Sequence, residues 1–213
     1  MPGPAIKICG LKTPEALDAA IKARAGYAGF VFFPPSPRHV ELADAAQLSA
    51  RAEGKIRRVA LVVDADDATI AEILAAARID ILQLHGKETP ERAAQVKARF
   101  GVPVWKALSV ASKDDVARAN GYTGAADLIL FDAKTPRNAL PGGMGLSFDW
   151  SLVAGWKGPL EWGLAGGLTP DNVAEAVRLT GAPLVDTSSG VESAPGVKDL
   201  ARIASFCAAV RAR

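Results

Sequence analysis

The sequence predicts an α/β protein that folds as a (β/α)8 TIM barrel, in one compact domain over residues 1–213. Short apolar or β-branched runs alternate with Ala-rich amphipathic stretches along the whole chain, in eight successive pairs. Because each helix supplies the crossover between neighbouring strands, this alternation produces a parallel sheet. One pair takes up roughly 25 residues, which fits a compact closed barrel. The rival is an open doubly wound sheet, but no G-x-G-x-x-G motif follows the first predicted strand.

The composition is that of a globular protein that acts on a small molecule. Hydrophobic residues make up 49% of the chain and charged residues 23%, which excludes disorder as the main state. The 25 basic residues nearly balance the 23 acidic ones, which argues against a nucleic-acid partner. No secretory signal and no apolar run of ~18 residues are found, so we expect a cytoplasmic protein without a membrane partner. A monomer and a homodimer both remain open.

Eight segments are predicted as strands from their apolar or β-branched residues. They are Ala5–Cys9, Gly29–Phe33, Arg57–Val63, Ile79–His85, Val102–Leu108, Leu128–Asp132, Leu160–Ala165 and Leu184–Asp186. Eight amphipathic segments between and after them are predicted as helices. They are Pro14–Ala25, Leu42–Glu53, Asp67–Arg78, Pro90–Phe100, Ser112–Asn120, Phe148–Trp156, Thr169–Leu179 and Val197–Arg211. The longest irregular piece, Ala133–Gly145, is rich in Pro and Gly and is predicted to be a loop with freedom to move.

Three of these helices carry the same start signal. Thr13, Thr89 and Thr169 each precede a proline and an acidic residue. A Thr hydroxyl caps the first turn, and proline is favoured at the first helical position. The pattern therefore predicts that each helix begins directly after its threonine.

The two cysteines receive different interpretations. Cys9 ends the first strand and shares a face with Lys7, the face that a barrel turns inward. Active sites of such barrels lie at the carboxyl ends of the strands, so Cys9 is a candidate catalytic residue, although a buried cysteine is often only a small hydrophobe. Cys207 lies in the last helix among Ala and Val and is predicted to be structural. One disulfide is arithmetically possible, but reduced thiols in a cytosol are the simpler expectation.

Polar residues end two further strands. Gln83 and His85 share one face of the fourth strand and are predicted to contact substrate. No second ligand follows at metal spacing, so no metal is expected there. Asp132 ends the sixth strand after four apolar residues. It either caps a turn or points into the barrel mouth, where partial burial favours the protonated form that acid catalysis requires.

Anion-binding signals appear at both ends of the chain. Arg38 follows the second strand between Pro37 and His39, and its planar fork matches a carboxylate or phosphate. The glycine pair Gly166 and Gly167 follows the seventh strand, and the run of Ser188, Ser189 and Gly190 follows the eighth. Barrels commonly hold a phosphate at these two loops, with backbone N–H groups as donors. Together they predict a phosphorylated small-molecule ligand.

Three charged residues are expected to face the barrel interior lower down. Lys7, Lys106 and Glu161 are assigned to the inward phases of their strands. Buried charges must be paired or solvated. The hypothesis is a polar lower layer in which Glu161 balances a lysine.

Several motifs together make the chain resemble the phosphoribosylanthranilate isomerase family of the tryptophan pathway. In order these motifs are Lys7-Ile8-Cys9-Gly10, Ser36-Pro37-Arg38, Gln83-Leu84-His85-Gly86, Phe131-Asp132, Gly142-Gly143-Met144-Gly145, Phe148-Asp149-Trp150, Leu164-Ala165-Gly166-Gly167-Leu168 and Asp186-Thr187-Ser188-Ser189-Gly190-Val191-Glu192. The resemblance spans nearly the whole chain. Met144 stands where the family usually has Thr, and Thr187 where Val is common, and neither is a proposed catalytic group.

The resemblance implies an Amadori rearrangement of N-(5-phosphoribosyl)anthranilate to 1-(2-carboxyphenylamino)-1-deoxyribulose 5-phosphate. By the same resemblance Cys9 is the general base and Asp132 the general acid. Arg38 holds the anthranilate carboxylate, and Gln83, His85 and Asp186 contact the substrate. The loops at Gly166–Gly167 and at Ser188–Gly190 hold the phosphate.

The chemistry of this reaction agrees with those roles. Opening the ribose ring requires a protonated acid at the ring oxygen, and the iminium that forms acidifies the neighbouring C2 proton for a base. The iminium uses the substrate's own nitrogen, so no cofactor is expected. A free thiol is only ~3% thiolate at neutral pH. We expect Lys7 to help lower the pKa of Cys9, since one or two units raise the thiolate fraction roughly ten- to twenty-fold.

Two rival functions are another sugar-phosphate enzyme and, from a different class, a binding protein. A metal-dependent epimerase of sugar phosphates requires His and Asp ligands at several strand ends, whereas the chain has only His39 and His85 as histidines. A binding protein without catalysis on the same fold would not require both Cys9 and Asp132. The fold alone does not distinguish either of these functions from the isomerase.

Overall fold

The computed structural model describes residues 3–133 and 147–212, and within them a closed parallel barrel confirms the predicted fold. Its strands are β1 Ala5–Cys9, β2 Tyr27–Phe32, β3 Arg57–Val62, β4 Ile81–Leu84, β5 Val104–Val110, β6 Leu128–Ala133, β7 Glu161–Leu164 and β8 Leu184–Thr187. Their spatial order is the chain order, and β1 pairs with both β2 and β8. Most of the predicted mobile loop, with Met144 and its glycines, lies outside the described residues.

Seven α-helices surround the barrel in the described part of the chain. They are α1 Pro14–Lys22, α2 Leu42–Ala52, α3 Asp67–Ala76, α4 Pro90–Phe100, α5 Lys113–Ala117, α6 Val173–Thr180 and α7 Leu200–Arg211. After β8 the chain adds a two-stranded hairpin, β9 Glu192–Ala194 and β10 Val197–Lys198. No helix of residues 3–133 or 147–212 has the length and hydropathy needed to cross a membrane.

Two predicted helices are shorter than expected. The segment predicted as a helix over Phe148–Trp156 holds only a 3-10 turn at Trp150–Leu152, which Asp149 caps by accepting a hydrogen bond from the Ser151 N–H. The segment predicted over Ser112–Asn120 divides into α5 and a 3-10 helix from Arg118 to Tyr122. Short 3-10 pieces of this kind are ordinary connectors.

The threonine start signals are confirmed twice and wrong once. Thr13 and Thr89 cap α1 and α4, and each hydroxyl accepts a bond from the backbone N–H three residues on. After Thr169 the helix instead begins at Val173. The Asn172 side chain explains the delay, because it accepts from Thr169 N at 2.8 Å and donates to Gly167 O at 2.9 Å. These bonds hold the first turn as a loop against the end of β7.

Side chains of the strands divide into an outer and an inner set, as a pleated barrel requires. The outer set packs against the helices in one large core that includes Ile8, Phe30 and Phe131. The inner set closes the lower barrel with a separate apolar cluster. Its buried members are Val59, Ile81, Trp105, Ala107, Leu128, Leu130 and Leu184.

The expected polar layer differs from the prediction in two respects. Lys7 does face inward, but its partner is Asp186 at 2.9 Å, directly opposite in the register of β1 and β8. Lys106 was predicted to face inward but lies on the outer face of β5, since Val104 and Leu108, two residues to either side, pack in the outer core. It pairs there with Glu88 at 2.9 Å. Glu161 is exposed at the start of β7, so the idea that it balances a lysine is wrong.

Candidate active site

The Cys9 side chain lies at the carboxyl end of β1, 5% exposed, where the sequence predicted it. It stands beside Gly29 of β2, its partner in the register of the sheet. A Cβ at Gly29 would come within 2.9 Å of Cys9 Sγ and 3.2 Å of Lys7 Nζ. The glycine therefore makes the space that brings the thiol and the ammonium group together. Cys9 and Cys207 are both free thiols.

A buried ion pair lies directly below the thiol. Lys7 Nζ donates to Asp186 Oδ2 at 2.9 Å, and the lysine side chain is fully buried. Burial lowers the pKa of Lys7, but the Asp186 carboxylate and Cys9 raise it by more, so Lys7 remains an ammonium group. Asp186 Oδ1 is buried without a hydrogen-bond partner among the described residues. That oxygen is available to a ligand at the barrel mouth.

The expected downward shift of the Cys9 pKa is wrong for this structure. Burial raises the pKa of the thiol, and the Asp186 carboxylate adds to the rise. Lys7 acts in the predicted direction and Lys198 acts with it, but the two do not offset the loss of solvation. The thiolate is therefore scarcer than predicted, and it is a stronger base when it forms.

Asp132 faces the same mouth from the end of β6 and is held by its neighbours. Its Oδ1 accepts from the Ala133 N–H at 2.8 Å, and its Oδ2 lies 3.4 Å from His85 Nε2. His85 Nδ1 in turn lies 3.1 Å from Gln83 Nε2. The pair predicted on one face of β4 therefore forms a chain that ends at Asp132.

The carboxyl group of Asp132 acts on that of Asp186 at the mouth. Burial raises the pKa of Asp186, and the neighbouring Asp132 raises it further against the opposite effects of Lys7 and His85. Gln83 Oε1, like Asp186 Oδ1, is buried without a partner in the described part of the chain. These two oxygens are acceptors suited to hydroxyl groups of a sugar.

A polar cavity of about 240 Å³ opens beside Asp132. His85 and Asp132 line it together with Lys106, Ser109 and Tyr122. Glu88 neutralises the Lys106 ammonium at its edge. The cavity gives the Asp132 carboxyl access to small polar groups.

The loops after β7 and β8 are joined to each other and to Cys9. Gly166 has a φ of 83°, and a Cβ there would meet the Ala133 backbone N at 2.5 Å, so only glycine fits this turn. Thr187 Oγ1 donates to Leu168 O at 2.7 Å, which connects the two loops. Ser188 Oγ donates to Cys9 O at 3.1 Å, which connects them to β1.

The predicted phosphate residues lie in these two loops. Gly166 and Gly167 form the turn after β7, both with positive φ. Ser189 begins a 3-10 turn that ends at Val191, with Gly190 between them. Backbone N–H groups at the start of such turns are donors for an anion.

Arg38 reaches the mouth from the loop after β2, and a carboxylate of the chain already engages it. Its Nε and one terminal nitrogen bond both oxygens of Glu192 on β9, at 2.8 and 2.7 Å. The side chain crosses Gly10, where a Cβ would come within 2.8 Å of it. Bidentate pairing fixes the plane of the guanidinium group.

Sequence reasoning missed two residues of this site. Glu192 is the final residue of a motif and has no assigned role there, and nothing in the sequence marks Lys198. Lys198 Nζ bonds Glu192 Oε1 at 2.8 Å and Ser188 O at 2.8 Å, and its side chain is 2% exposed. A lysine six residues after a motif glutamate carried no signal of its own. Among the described residues, no group of three or more His, Cys, Asp or Glu side chains converges as metal ligands would.

One side of the mouth is apolar. Val31 of β2 and Leu61 of β3 form a small cluster with Cys9, with Phe33 and Val63 packed against it. Cys9 is thus bordered by charged groups on one side and by a hydrocarbon wall on the other. This wall is suited to an aromatic ring.

Comparisons with known proteins agree with the geometry. Residues 6–209 match the family model described as N-(5'-phosphoribosyl)anthranilate (PRA) isomerase. The N-(5'-phosphoribosyl)anthranilate isomerase of Cereibacter sphaeroides is 56% identical over 99% of this chain and 100% of its own. The phosphoribosyl anthranilate isomerase structure from Thermotoga maritima has a TM-score of 0.88 at 32% identity, over 99% of this chain and 100% of that one.

A further solved structure shows such an isomerase in complex with reduced 1-(o-carboxyphenylamino)-1-deoxyribulose 5-phosphate. It has a TM-score of 0.84 at 30% identity and covers 99% of this chain and 100% of its own. The match of the family model and the identity over the full length establish more than a shared fold. The chain belongs to the N-(5'-phosphoribosyl)anthranilate isomerase family, the enzymes that carry out this isomerisation in tryptophan biosynthesis.

Proposed function

We propose that the site converts N-(5-phosphoribosyl)anthranilate to 1-(2-carboxyphenylamino)-1-deoxyribulose 5-phosphate by an Amadori rearrangement with general acid and base catalysis. One observation carries the proposal. Cys9 and Asp132 lie at the carboxyl ends of β1 and β6 and face one mouth, where Lys7 and Asp186 form a buried ion pair. A base and an acid at one mouth, close to loops fit for a phosphate, are what this reaction requires.

Each part of the substrate has a matching region. The phosphate binds the backbone N–H groups of Gly166–Gly167 and of Ser188–Gly190. The anthranilate ring lies against Val31 and Leu61, whose side chains border Cys9. Its carboxylate binds the Arg38 guanidinium group, whose plane Glu192 fixes. Asp186 Oδ1 and Gln83 Oε1 accept bonds from ribose hydroxyl groups.

The first step opens the ring. Asp132 donates its proton to the ribose ring oxygen, the C1–O bond breaks, and its electron pair remains on that oxygen. The nitrogen lone pair then forms the C1=N bond of the iminium. Asp132 becomes a carboxylate beside His85, which holds its second oxygen in place.

The second step removes a proton from carbon. The Cys9 thiolate takes the C2 proton, and the C–H electrons form a C1=C2 double bond as the iminium nitrogen regains its lone pair. The product is an enolamine. Burial makes the Cys9 thiolate a strong base, which this carbon acid requires.

The third step restores both catalytic groups. The Cys9 thiol returns a proton to C1, and the C2 hydroxyl loses its proton as the ketone forms. Asp132 regains a proton at the same time, so the reaction is an isomerisation with no net gain or loss. It uses no metal and no organic cofactor, because the substrate's own nitrogen stabilises the intermediate.

The remaining expectations about the molecule belong to the same proposal. The chain acts as one domain over residues 1–213, in the cytoplasm, as a monomer or a homodimer. A dimeric phosphoribosylanthranilate isomerase is known from Thermotoga maritima, and its chain aligns with 99% of this one.

The test is a fluorescence assay with purified protein. Phosphoribosylanthranilate is generated in situ from anthranilate and phosphoribosyl pyrophosphate, and its consumption is followed against the spontaneous background. The proposal predicts acceleration and a product that co-migrates with the ketose. Binding of the reduced product analogue without acceleration, by folded protein, would instead favour a binding protein and contradict the proposal.

A further inference from the structure

A buried ammonium group next to the base has no role in the steps above. Lys198 lies on β10, outside the barrel proper, yet its side chain is 2% exposed. Its Nζ donates to Ser188 O at 2.8 Å, to Ser188 Oγ at 3.3 Å and to Glu192 Oε1 at 2.8 Å. All three of its donors are therefore used within the loop after β8 and the hairpin. Burying a lysine is costly, so such a site is a specific arrangement of the fold.

Ser188 connects this ammonium group to the base. Its hydroxyl receives a bond from Lys198 and donates one to Cys9 O at 3.1 Å. The lysine is thus one hydroxyl away from the main chain of Cys9. It also fixes Ser188, a residue of the proposed phosphate loop, onto the end of β1.

The charges around the thiol leave a positive excess. The charged groups that act on Cys9 are Lys7 of β1, Asp186 of β8 and Lys198 of β10. Lys7 and Asp186 form a pair of their own, whereas Lys198 and Arg38 share the single carboxylate of Glu192, so that this second group carries one net positive charge. The groups facing Lys198 are Glu192, Cys9 and Arg38, and Glu192 is shared with the Arg38 guanidinium.

The mutual effects of the two groups agree with this arrangement. Lys198 and Lys7 both lower the pKa of Cys9 against the upward effect of burial. Burial lowers the pKa of Lys198 and Arg38 lowers it further, and Glu192 and Cys9 offset only part of this fall. A nearby ammonium group and a thiolate stabilise each other's charged forms.

We propose that Lys198 is a positioning residue of the reaction, which stabilises the Cys9 thiolate and holds the loop after β8 against it through Ser188. This inference rests on the proposed role of Cys9 as the base. It assigns a task to the hairpin that follows β8, namely to bring a cation beneath the phosphate loop and next to the base.

The test compares three lysine variants in a Cys207→Ser background, so that Cys9 is the only thiol. Lys198→Met removes the charge, and Lys198→Arg keeps it. Lys97→Met is the matched control, because Lys97 pairs with Asp127 on the outer surface at 2.7 Å. Thiolate formation is followed by ultraviolet absorbance in a pH titration, and kcat is measured over the same range.

The titration of Lys198→Met is expected to move to higher pH by about one unit, while that of Lys97→Met stays in place. Its kcat should fall roughly ten-fold at neutral pH and recover as the pH rises, and Lys198→Arg should restore most of the loss. An unchanged titration in folded Lys198→Met would overturn the inference. So would a loss of kcat that is equal at every pH, since that is the result of a purely structural role.

The titration needs no substrate, which separates this inference from the proposed function. A shifted titration in a protein whose turnover does not depend on Cys9 would contradict Cys9 as the base and leave the electrostatic role of Lys198 intact. If Lys198→Met fails to fold, Lys198→Gln gives the same comparison, because it removes the charge and keeps a hydrogen-bond donor.

Discussion

The Cys9 thiol is subject to two opposing effects, since burial disfavours its thiolate and two ammonium groups favour it. The same burial that makes the thiolate scarce also makes it basic, and a carbon acid requires a strong base. At the residue scale, the pKa of Cys9 is therefore set by the balance between burial and the charges of Lys7 and Lys198. The sequence predicted the first of these cations, because it shares a strand face with Cys9. The second comes from a hairpin that is remote in the chain.

Asp132 allows a test at the same scale. Asp132→Asn keeps the shape of the side chain and its contacts with Ala133 and His85, but removes the proton that opens the ring. We expect turnover to fall by about 10²–10⁴-fold with binding of the reduced product analogue retained. Steady-state kinetics and calorimetric titration measure the two effects. A variant with full activity would remove Asp132 from the mechanism.

At the scale of single elements, the strands follow closely from the sequence. Both bounds of β1 are predicted, as are those of α4, because apolar runs and a Thr-Pro cap mark them clearly. The phase of Lys106 is not predicted. A lysine between Trp105 and Ala107 gives no sign of which face it joins, and only the packing of the whole sheet decides it. The late start of α6 likewise depends on Asn172, whose side chain reaches back to Gly167.

The Lys106–Glu88 pair shows what one element contributes to the site. Lys106 Nζ bonds Leu84 O, Gly86 O and Glu88 Oε2, and Glu88 accepts from the backbone N–H of Asp64 and Gly86. These bonds hold the turn after β4. His85, which contacts Asp132, is part of that turn.

A stability measurement tests this contribution. Lys106→Met leaves a buried carboxylate without its partner, so we expect a loss of about 3–5 kcal/mol in the free energy of unfolding. Lys97→Met, which breaks a half-exposed pair, should lose no more than about 1 kcal/mol. Urea denaturation measures both. Equal losses in the two variants would contradict a special role for the buried pair.

At the scale of the whole molecule, the site is assembled by pairs that the sequence separates widely. Lys7 and Asp186 are 179 positions apart, and Arg38 and Glu192 are 154 apart. Closure of the barrel between β1 and β8 brings the first pair together. Which residues stand at the mouth could be predicted from their strand ends. Their pairing could not be predicted, because it depends on the register of strands and loops that are distant in the chain.

These long-range pairs make stability depend on pH. Burial raises the pKa of Glu192, but Arg38 and Lys198 lower it by more, so that the folded value lies below the ordinary value of 4.5. The stabilisation is therefore complete above the unfolded pKa and is lost as the pH falls through the lower folded pKa. We expect Glu192→Gln to be less stable at neutral pH and to lose less on acidification. Urea midpoints from neutral pH down to about pH 3 decide this, and parallel curves for the two proteins would contradict it.

The measurement that tests the account most directly is kcat of Cys9→Ser beside Cys207→Ser in the fluorescence assay. Cys207 is buried in α7, and burial raises the pKa of its thiol to about 11, so it has no part in the proposed chemistry. A serine hydroxyl is a poor base at neutral pH, so Cys9→Ser should lose about 10²–10⁴-fold while Cys207→Ser remains close to the unmodified protein. Comparable turnover in Cys9→Ser would contradict the assignment of Cys9 as the base.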